Sequence, residues 1–226
     1  MIRFPILAAL LTCCCATIPQ VPDSATTLEV TYSEPAARPV ALASGPFRFS
    51  NTVDVGNVDD MPLAVALMQF TRLAEGGARE ITLRIDSFGG SVALGHRWGK
   101  EMEDLKKRHG IKVTCIVDGA AYSMGAVILE SPLCDQRLAT KRSTILFHNG
   151  SVGVRGTAAD LEQAALYLVA LNQAMALVVC DRIGMPLAEY QARIAHADWI
   201  MAVTEALALN VIDGVVSPAE IAPPGL

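Results

Sequence analysis

Three times between residues 81 and 149 an alternating, β-branched run gives way to small residues. The runs are Ile-Thr-Leu-Arg-Ile-Asp (81–86), Gly-Ile-Lys-Val-Thr-Cys-Ile-Val (110–117) and Ser-Thr-Ile-Leu-Phe-His-Asn (143–149). Helical periodicity follows the first two within a few residues and the third by residue 157. A strand that yields to a helix and then to another strand predicts an α/β fold with parallel pairing. The flanking stretches fit this pattern. Residues 47–53 read as a strand. Residues 61–75 read as a helix, with Asp59 or Asp60 as N-cap and Pro62 in its first turn. Helices are expected at about 91–109, at 123–131, over 157–183, and in short form over 186–195 and 204–210; a last strand is expected over 211–216. No strand is assigned to 132–142 or 197–203, and no internal repeat of fixed period is visible.

Composition narrows the function classes. The 226 residues are 52% hydrophobic and 18% charged, with mean hydropathy +0.37. A well-filled α/β core explains this, since no uninterrupted run in the body of the chain reaches the ~18 apolar residues of a membrane span. The net charge of −5 and the lack of a basic tract exclude an electrostatic nucleic-acid face. The helix expected over 157–183 carries Leu161, Ala164, Leu168, Leu171, Met175 and Val178 at three- and four-residue steps. It is apolar around much of its circumference, so it is either buried or an assembly surface.

The chemistry centres on Gly-Ala-Ala-Tyr-Ser-Met-Gly-Ala (119–126), where Ser123 stands at a strand-to-helix junction fenced by small residues. A helix cap accounts for a serine there, and so does a nucleophile. A serine hydroxyl attacks only when a base takes its proton, commonly a histidine oriented by a carboxylate. Of the four histidines, His96 and His109 lie on a charged helical stretch and His196 in another polar one, all read as surface. His148 ends an apolar strand ahead of an Asn-Gly turn, which places an imidazole at the mouth of a sheet. An oxyanion hole needs uncrowded backbone N–H groups. The Gly89-Gly90 turn offers them, and the N–H of Met124, after the serine, offers another at a helix start. A phosphate loop is disfavoured, because neither G-x-G-x-x-G nor G-K-[ST] is present.

Taken together, Leu-Arg-Ile-Asp-Ser-Phe-Gly-Gly-Ser-Val (83–92), the Ser123 segment, Lys-Arg-Ser-Thr-Ile-Leu-Phe-His-Asn (141–149) and the closing stretch 197–216 resemble the proteolytic subunit of the Clp protease, within the ClpP/crotonase group. The resemblance covers roughly residues 47–216. It implies a repeated β-β-α spiral with a protruding long handle helix, opened by Gly-Thr-Ala-Ala-Asp-Leu-Glu (156–162). It also implies a serine endopeptidase with Ser123, His148 and Asp198 as triad, no metal or other cofactor, a peptide or unfolded protein as substrate, and a homo-oligomer built through the 158–183 helix. The chain departs from the pattern at Phe88, where the family has proline, at Tyr122, where a small residue is usual, and at Asn149-Gly150. A Ser–Lys arrangement, for which Lys141 and Arg142 are the nearby cations, explains fewer residues. Two other classes share the fold: a crotonase-like acyl-CoA enzyme and a non-catalytic assembly scaffold.

The first sixteen residues, with Arg3 before an apolar core and small residues up to Ala16, read as a signal peptide. Leu-Leu-Thr-Cys (10–13) also offers Cys13 for lipidation, the one expected route to a membrane; a disordered apolar terminus is the alternative. Residues 17–45 read as a linker with a short strand at 28–33, and 46–220 as the catalytic domain. Export places the protein in the periplasm, away from ATP. Three of the six cysteines lie in the leader, leaving Cys115, Cys134 and Cys180. About six strand residues beyond Cys115 and a helix of about twelve or thirteen residues running back after Ser123 cover similar distances, so a Cys115–Cys134 disulfide is expected, with Cys180 unpaired.

Overall fold

The computed structural model describes residues 51–217. The leader, the whole of the linker and the strand expected at 28–33 lie outside the described residues, as do residues 47–50 of the first expected strand. The architecture is α/β. A seven-stranded sheet has the order β1-β2-β3-β4-β7, with β5 pairing β3 and β6 pairing β5. The strands are β1 (Thr52–Val55), β2 (Glu80–Ser87), β3 (Lys112–Tyr122), β4 (Gln136–Thr140), β5 (Thr144–Phe147), β6 (Trp199–Ala202) and β7 (Gly214–Val216). All pairings are parallel except β5 with β6. The helices are α1 (Asp60–Glu75), α2 (Val92–His109), α3 (Met124–Glu130), α4 (Ala158–Ile183), α5 (Leu187–Ile194) and α6 (Val203–Ala208). Asp59 occupies the N-cap of α1 without a side-chain capping bond.

The sequence expectation failed at three strands. Strand β4 contains Gln136 and Arg137 and so lacks a clean apolar alternation; Arg137 is nonetheless buried, paired with Glu130 and Asp213. Strand β6 is four residues long and its antiparallel pairing is not signalled by the parallel pattern before it. Strand β3 runs on to Tyr122, beyond the end expected at Val117, so the small residues Gly119–Ala121 lie within the strand.

The extension of β3 positions the site. Its first half, Thr114–Val117, pairs with β4, and Ala120–Tyr122 pair with β5. Between them the register against β2 slips, from Ile85↔Val117 to Ser87↔Ala121. Side chains supply the ladder bonds lost in the slip. Asp86 Oδ1 accepts from the Ala120 N–H at 3.0 Å. Ser143 Oγ accepts from the Gly119 N–H at 3.3 Å and donates to the Val117 carbonyl at 2.7 Å. A Cβ at Gly119 would stand 2.4 Å from Asp86 Oδ1, so the glycine makes room for that carboxylate.

The core is built from both faces of the sheet, with Phe70, Leu83, Ile85, Met102, Leu129, Ile145 and Phe147 fully enclosed. Helix α3 is buried along its whole length and ends at the Glu130–Arg137–Asp213 cluster. Burial outweighs the Arg137 charge there and pushes the Glu130 carboxyl up to about 8. Cys115 and Cys134 are disulfide-bonded, with Cα atoms 5.5 Å apart. The helix between them has seven residues rather than about twelve, and a turn through Ser131–Cys134 completes the return. Cys180 is buried and, among the described residues, has no disulfide partner.

Helix α4 begins with a capping box between Thr157 and Asp160. Only its last turns dock into the core, through Met175, Ala176, Val179, Cys180 and Ile183. Leu161, Leu166, Tyr167 and Val169 are exposed. By length and composition the helix is able to cross a membrane, with a mean hydropathy of 1.6 over an 18-residue window. The expectation that no segment reaches this level counted uninterrupted apolar runs, and Asn172 and Gln173 interrupt this one. Its docked final third ties it to α3 and α5.

Candidate active site

Ser123 sits between β3 and α3 with φ 53° and ψ −123°. A non-glycine residue at positive φ costs on the order of 1–3 kcal/mol and persists only where its surroundings enforce it. Here the Ser123 N–H donates to the Leu146 carbonyl at 2.9 Å, while its own carbonyl accepts from the Ala126 and Val127 N–H groups at 3.0 and 3.1 Å. This turn puts the hydroxyl against the imidazole: Ser123 Oγ is 2.7 Å from His148 Nε2. The hydroxyl can donate to an unprotonated Nε2, which is the geometry for removing its proton.

The antiparallel β5–β6 pair brings the third residue near. Phe147 stands opposite Trp199, so one step beyond each strand His148 comes level with Asp198. Stacking of Phe147 on Trp199 and on Tyr190, with ring centroids 5.9 and 5.8 Å apart, holds this end of the ladder. His148 Nδ1 and Asp198 Oδ1 are 3.6 Å apart. That is an ion-pair approach and too long for a hydrogen bond. Ser123 and His148 are thus engaged, and Asp198 is adjacent but not bonded.

Of the three amides expected for an oxyanion hole, two remain available. The Gly89 N–H donates to Ser87 Oγ at 3.2 Å, so this amide is already in use. Among the described residues the Gly90 and Met124 N–H groups have no acceptor. Gly89 serves instead by its size. Its φ is +92°, and a Cβ there would stand 2.6 Å from Ser123 Cβ and 2.8 Å from the Tyr122 carbonyl oxygen. Hydrogen bonds from the Val58 N–H to the Gly89 carbonyl at 2.8 Å and from the Ser91 N–H to the Val58 carbonyl at 2.9 Å pin the turn.

Beside the hydroxyl lies a small cavity walled by Val127, Phe147, Met175, Tyr190 and Ile194, with Asn172 at its polar side. Its volume of about 20 Å³ suits one water molecule, so a peptide side chain enters only when the lining shifts. Asn172 Oδ1 accepts from the Gly150 N–H at 2.7 Å, and Asn149 Nδ2 donates to the Ile194 carbonyl at 3.1 Å. These bonds tie the loop after His148 to α4 and α5. Of these wall residues only Met175 stood out in the sequence, as part of the apolar periodicity of the 157–183 helix and not as a site residue. Asn172 carried the one usable signal, a polar residue inside an apolar helix.

The remaining candidates stand apart. His96 and His196 are exposed, and His109 is half-buried at the end of α2. Lys141 and Arg142 are exposed at the β4–β5 turn, and neither bonds Ser123. Among the described residues no group of three His, Cys, Asp or Glu side chains is placed to hold a metal ion.

A hydroxyl–imidazole pair at a strand-to-helix junction, with free amides beside it on a largely parallel sheet, defines an α/β protein of the serine-hydrolase type. Residues 52–219 match the family model of the Clp protease. The chain is 31% identical over 158 residues to the ATP-dependent Clp protease proteolytic subunit 2 of Bacillus licheniformis, covering 70% of this chain and 80% of that protein. It is 29% identical over 171 residues to the subunit of the same name from Chlamydia muridarum, covering 74% of this chain and 81% of that one. The chain belongs to the Clp protease family.

Proposed function

We propose that this protein is a serine endopeptidase that cleaves peptides or unfolded proteins through Ser123, His148 and Asp198. The observation that carries the reading is the 2.7 Å contact between Ser123 Oγ and His148 Nε2, made by a serine in an enforced positive-φ turn. Ser123 Oγ attacks the scissile carbonyl carbon while His148 takes the hydroxyl proton. The Gly90 and Met124 amides face the developing oxyanion. The tetrahedral adduct collapses, the C–N bond breaks, and His148 passes its proton to the leaving amine. Water, deprotonated by the same imidazole, then hydrolyses the acyl ester and restores the serine. Closure of the 3.6 Å gap between His148 and Asp198 would stabilise the imidazolium during both steps.

The apolar wall of the cavity favours a hydrophobic side chain on the acyl side of the bond. The uncovered first half of α4 supports a homo-oligomer that buries Leu166, Tyr167 and Val169. The amino-terminal sequence supports export to the periplasm and action without ATP, and lipidation at Cys13 would add an anchor.

The test is labelling with a fluorophosphonate probe and peptide turnover, for the natural chain and Ser123→Ala, in periplasmic and cytosolic fractions. The expected result is periplasmic labelling confined to the natural chain and a turnover loss on the order of 10⁶. Unchanged cleavage by folded Ser123→Ala would refute the peptidase assignment. Labelling found only in the cytosolic fraction would refute export.

A further inference from the structure

Two aromatic side chains precede the two turns of the site. Phe88 comes directly before Gly89, and Tyr122 directly before Ser123. Their ring centroids are 5.5 Å apart at an interplanar angle of 78°, an edge-to-face pair. Both ends are fastened. The Phe88 N–H donates to Asn57 Oδ1 at 2.9 Å, and the Tyr122 hydroxyl is 2.7 Å from Thr144 Oγ1. Yet Phe88 remains 68% exposed. A single exposed apolar residue is ordinary. An exposed ring fixed by its backbone and by a second ring, one residue from the turn that supports the nucleophile, is pre-organised contact surface. Holding it in place before binding removes the ordering loss that a mobile side chain would bring. Neither ring lines the small cavity beside His148, so this surface is separate from the pocket assigned to the acyl-side residue.

We propose that Phe88 and Tyr122 form an aromatic shelf, a second subsite that takes an aromatic side chain of the peptide at a position flanking the scissile bond. The proposal rests on the peptidase reading for its substrate class and on the ring geometry for its place. The substrate ring packs against the open surface of Phe88, and Tyr122, anchored on β5, sets the tilt of the Phe88 ring.

Binding separates the shelf from catalysis. Peptides identical except for Phe or Ala at one flanking position at a time are titrated by fluorescence anisotropy against full-length Ser123→Ala. At one position the Phe peptide is expected to bind roughly 2- to 10-fold more tightly, the range of an aromatic pair. The preference should vanish in Ser123→Ala with Phe88→Ala and persist in Ser123→Ala with Phe88→Tyr. With Ser123 present, kcat/KM should carry the same ratio. A Phe peptide that is nowhere preferred, or a preference that survives Phe88→Ala, overturns the shelf. Binding with the preference but no cleavage by the natural chain leaves the shelf standing and defeats the peptidase reading. Cleavage with no aromatic preference does the reverse.

Discussion

Gly89→Ala tests whether the glycine turn sets the position of the nucleophile. The added Cβ would lie 2.6 Å from Ser123 Cβ and 2.8 Å from the Tyr122 carbonyl oxygen. Carbon atoms in contact prefer about 3.5–4.0 Å, so one side must yield by about 1 Å. Neither side yields freely: the Gly89 carbonyl is bonded to the Val58 N–H at 2.8 Å, and the Ser123 N–H to the Leu146 carbonyl at 2.9 Å. Overpacking of this kind costs about 1–3 kcal/mol, and an alanine at the φ of +92° adds about 1–2 kcal/mol. A total of about 2–5 kcal/mol lowers Tm by roughly 5–15 °C for a domain of this size. A displacement of about 1 Å at a reacting atom lowers turnover by on the order of 10²-fold. The assays are thermal unfolding by circular dichroism, then fluorophosphonate labelling and peptide turnover well below the lowered Tm. Gly99→Ala is the control. It lies within α2, nothing is within 4 Å of its Cβ position, and replacing a helical glycine is expected to stabilise by about 0.5–1 kcal/mol. Near-normal turnover by Gly89→Ala, or a loss fully accounted for by its unfolded fraction, would refute the steric argument.

Asp198→Asn should lower kcat by roughly 10²- to 10⁴-fold with little change in KM; normal turnover would remove Asp198 from the triad. Replacing Cys115 and Cys134 together with alanine should cost about 3 kcal/mol, as expected for the closed loop with its sequence separation of 19, and should abolish any effect of reductant on the denaturation midpoint; a natural chain unaffected by reductant contradicts this. For Glu130, with its folded pKa pushed up to about 8 from an ordinary 4.5, the folded state holds a proton that the unfolded chain releases. Its contribution is therefore present below about pH 4.5 and lost as pH rises through 8. Denaturation midpoints should fall over that window, and Glu130→Gln should flatten the slope; an identical slope in the variant would assign it elsewhere. Leu166→Glu with Val169→Glu, both on the exposed part of α4, should dissociate an oligomer without lowering Tm of the subunit, as read by sedimentation; an unmutated mature chain that sediments as a stable monomer at micromolar concentration rules the assembly out.

Much of the site follows from local chain chemistry and was therefore legible in the sequence. A β-branched run ending in small residues makes a strand-to-helix turn wherever it occurs, so the neighbourhoods of Ser123, His148 and Gly89-Gly90 could be placed by pattern. Local pattern does not carry pairing. Asp198 comes level with His148 because Phe147 stands opposite Trp199 across an antiparallel pair, a register set by contacts between segments some fifty residues apart in sequence. The slip in β3 depends on Asp86 and Ser143 arriving from two other elements to bond Ala120 and Gly119. The assignment of amides was likewise a tertiary matter: a glycine pair marks a close approach, but only the position of the Ser87 hydroxyl decides that the Gly89 N–H is occupied. Strand β4 escaped the pattern because Arg137 is buried by virtue of Glu130 and Asp213, and a charge is recognised as interior only once its partners are in place. What the sequence determined was the set of local elements and the reactive hydroxyl at their junction. What only the tertiary structure decided was which side chains and amides that hydroxyl would meet, because hydrogen bonds and packing act over ångströms and ignore the distance along the chain.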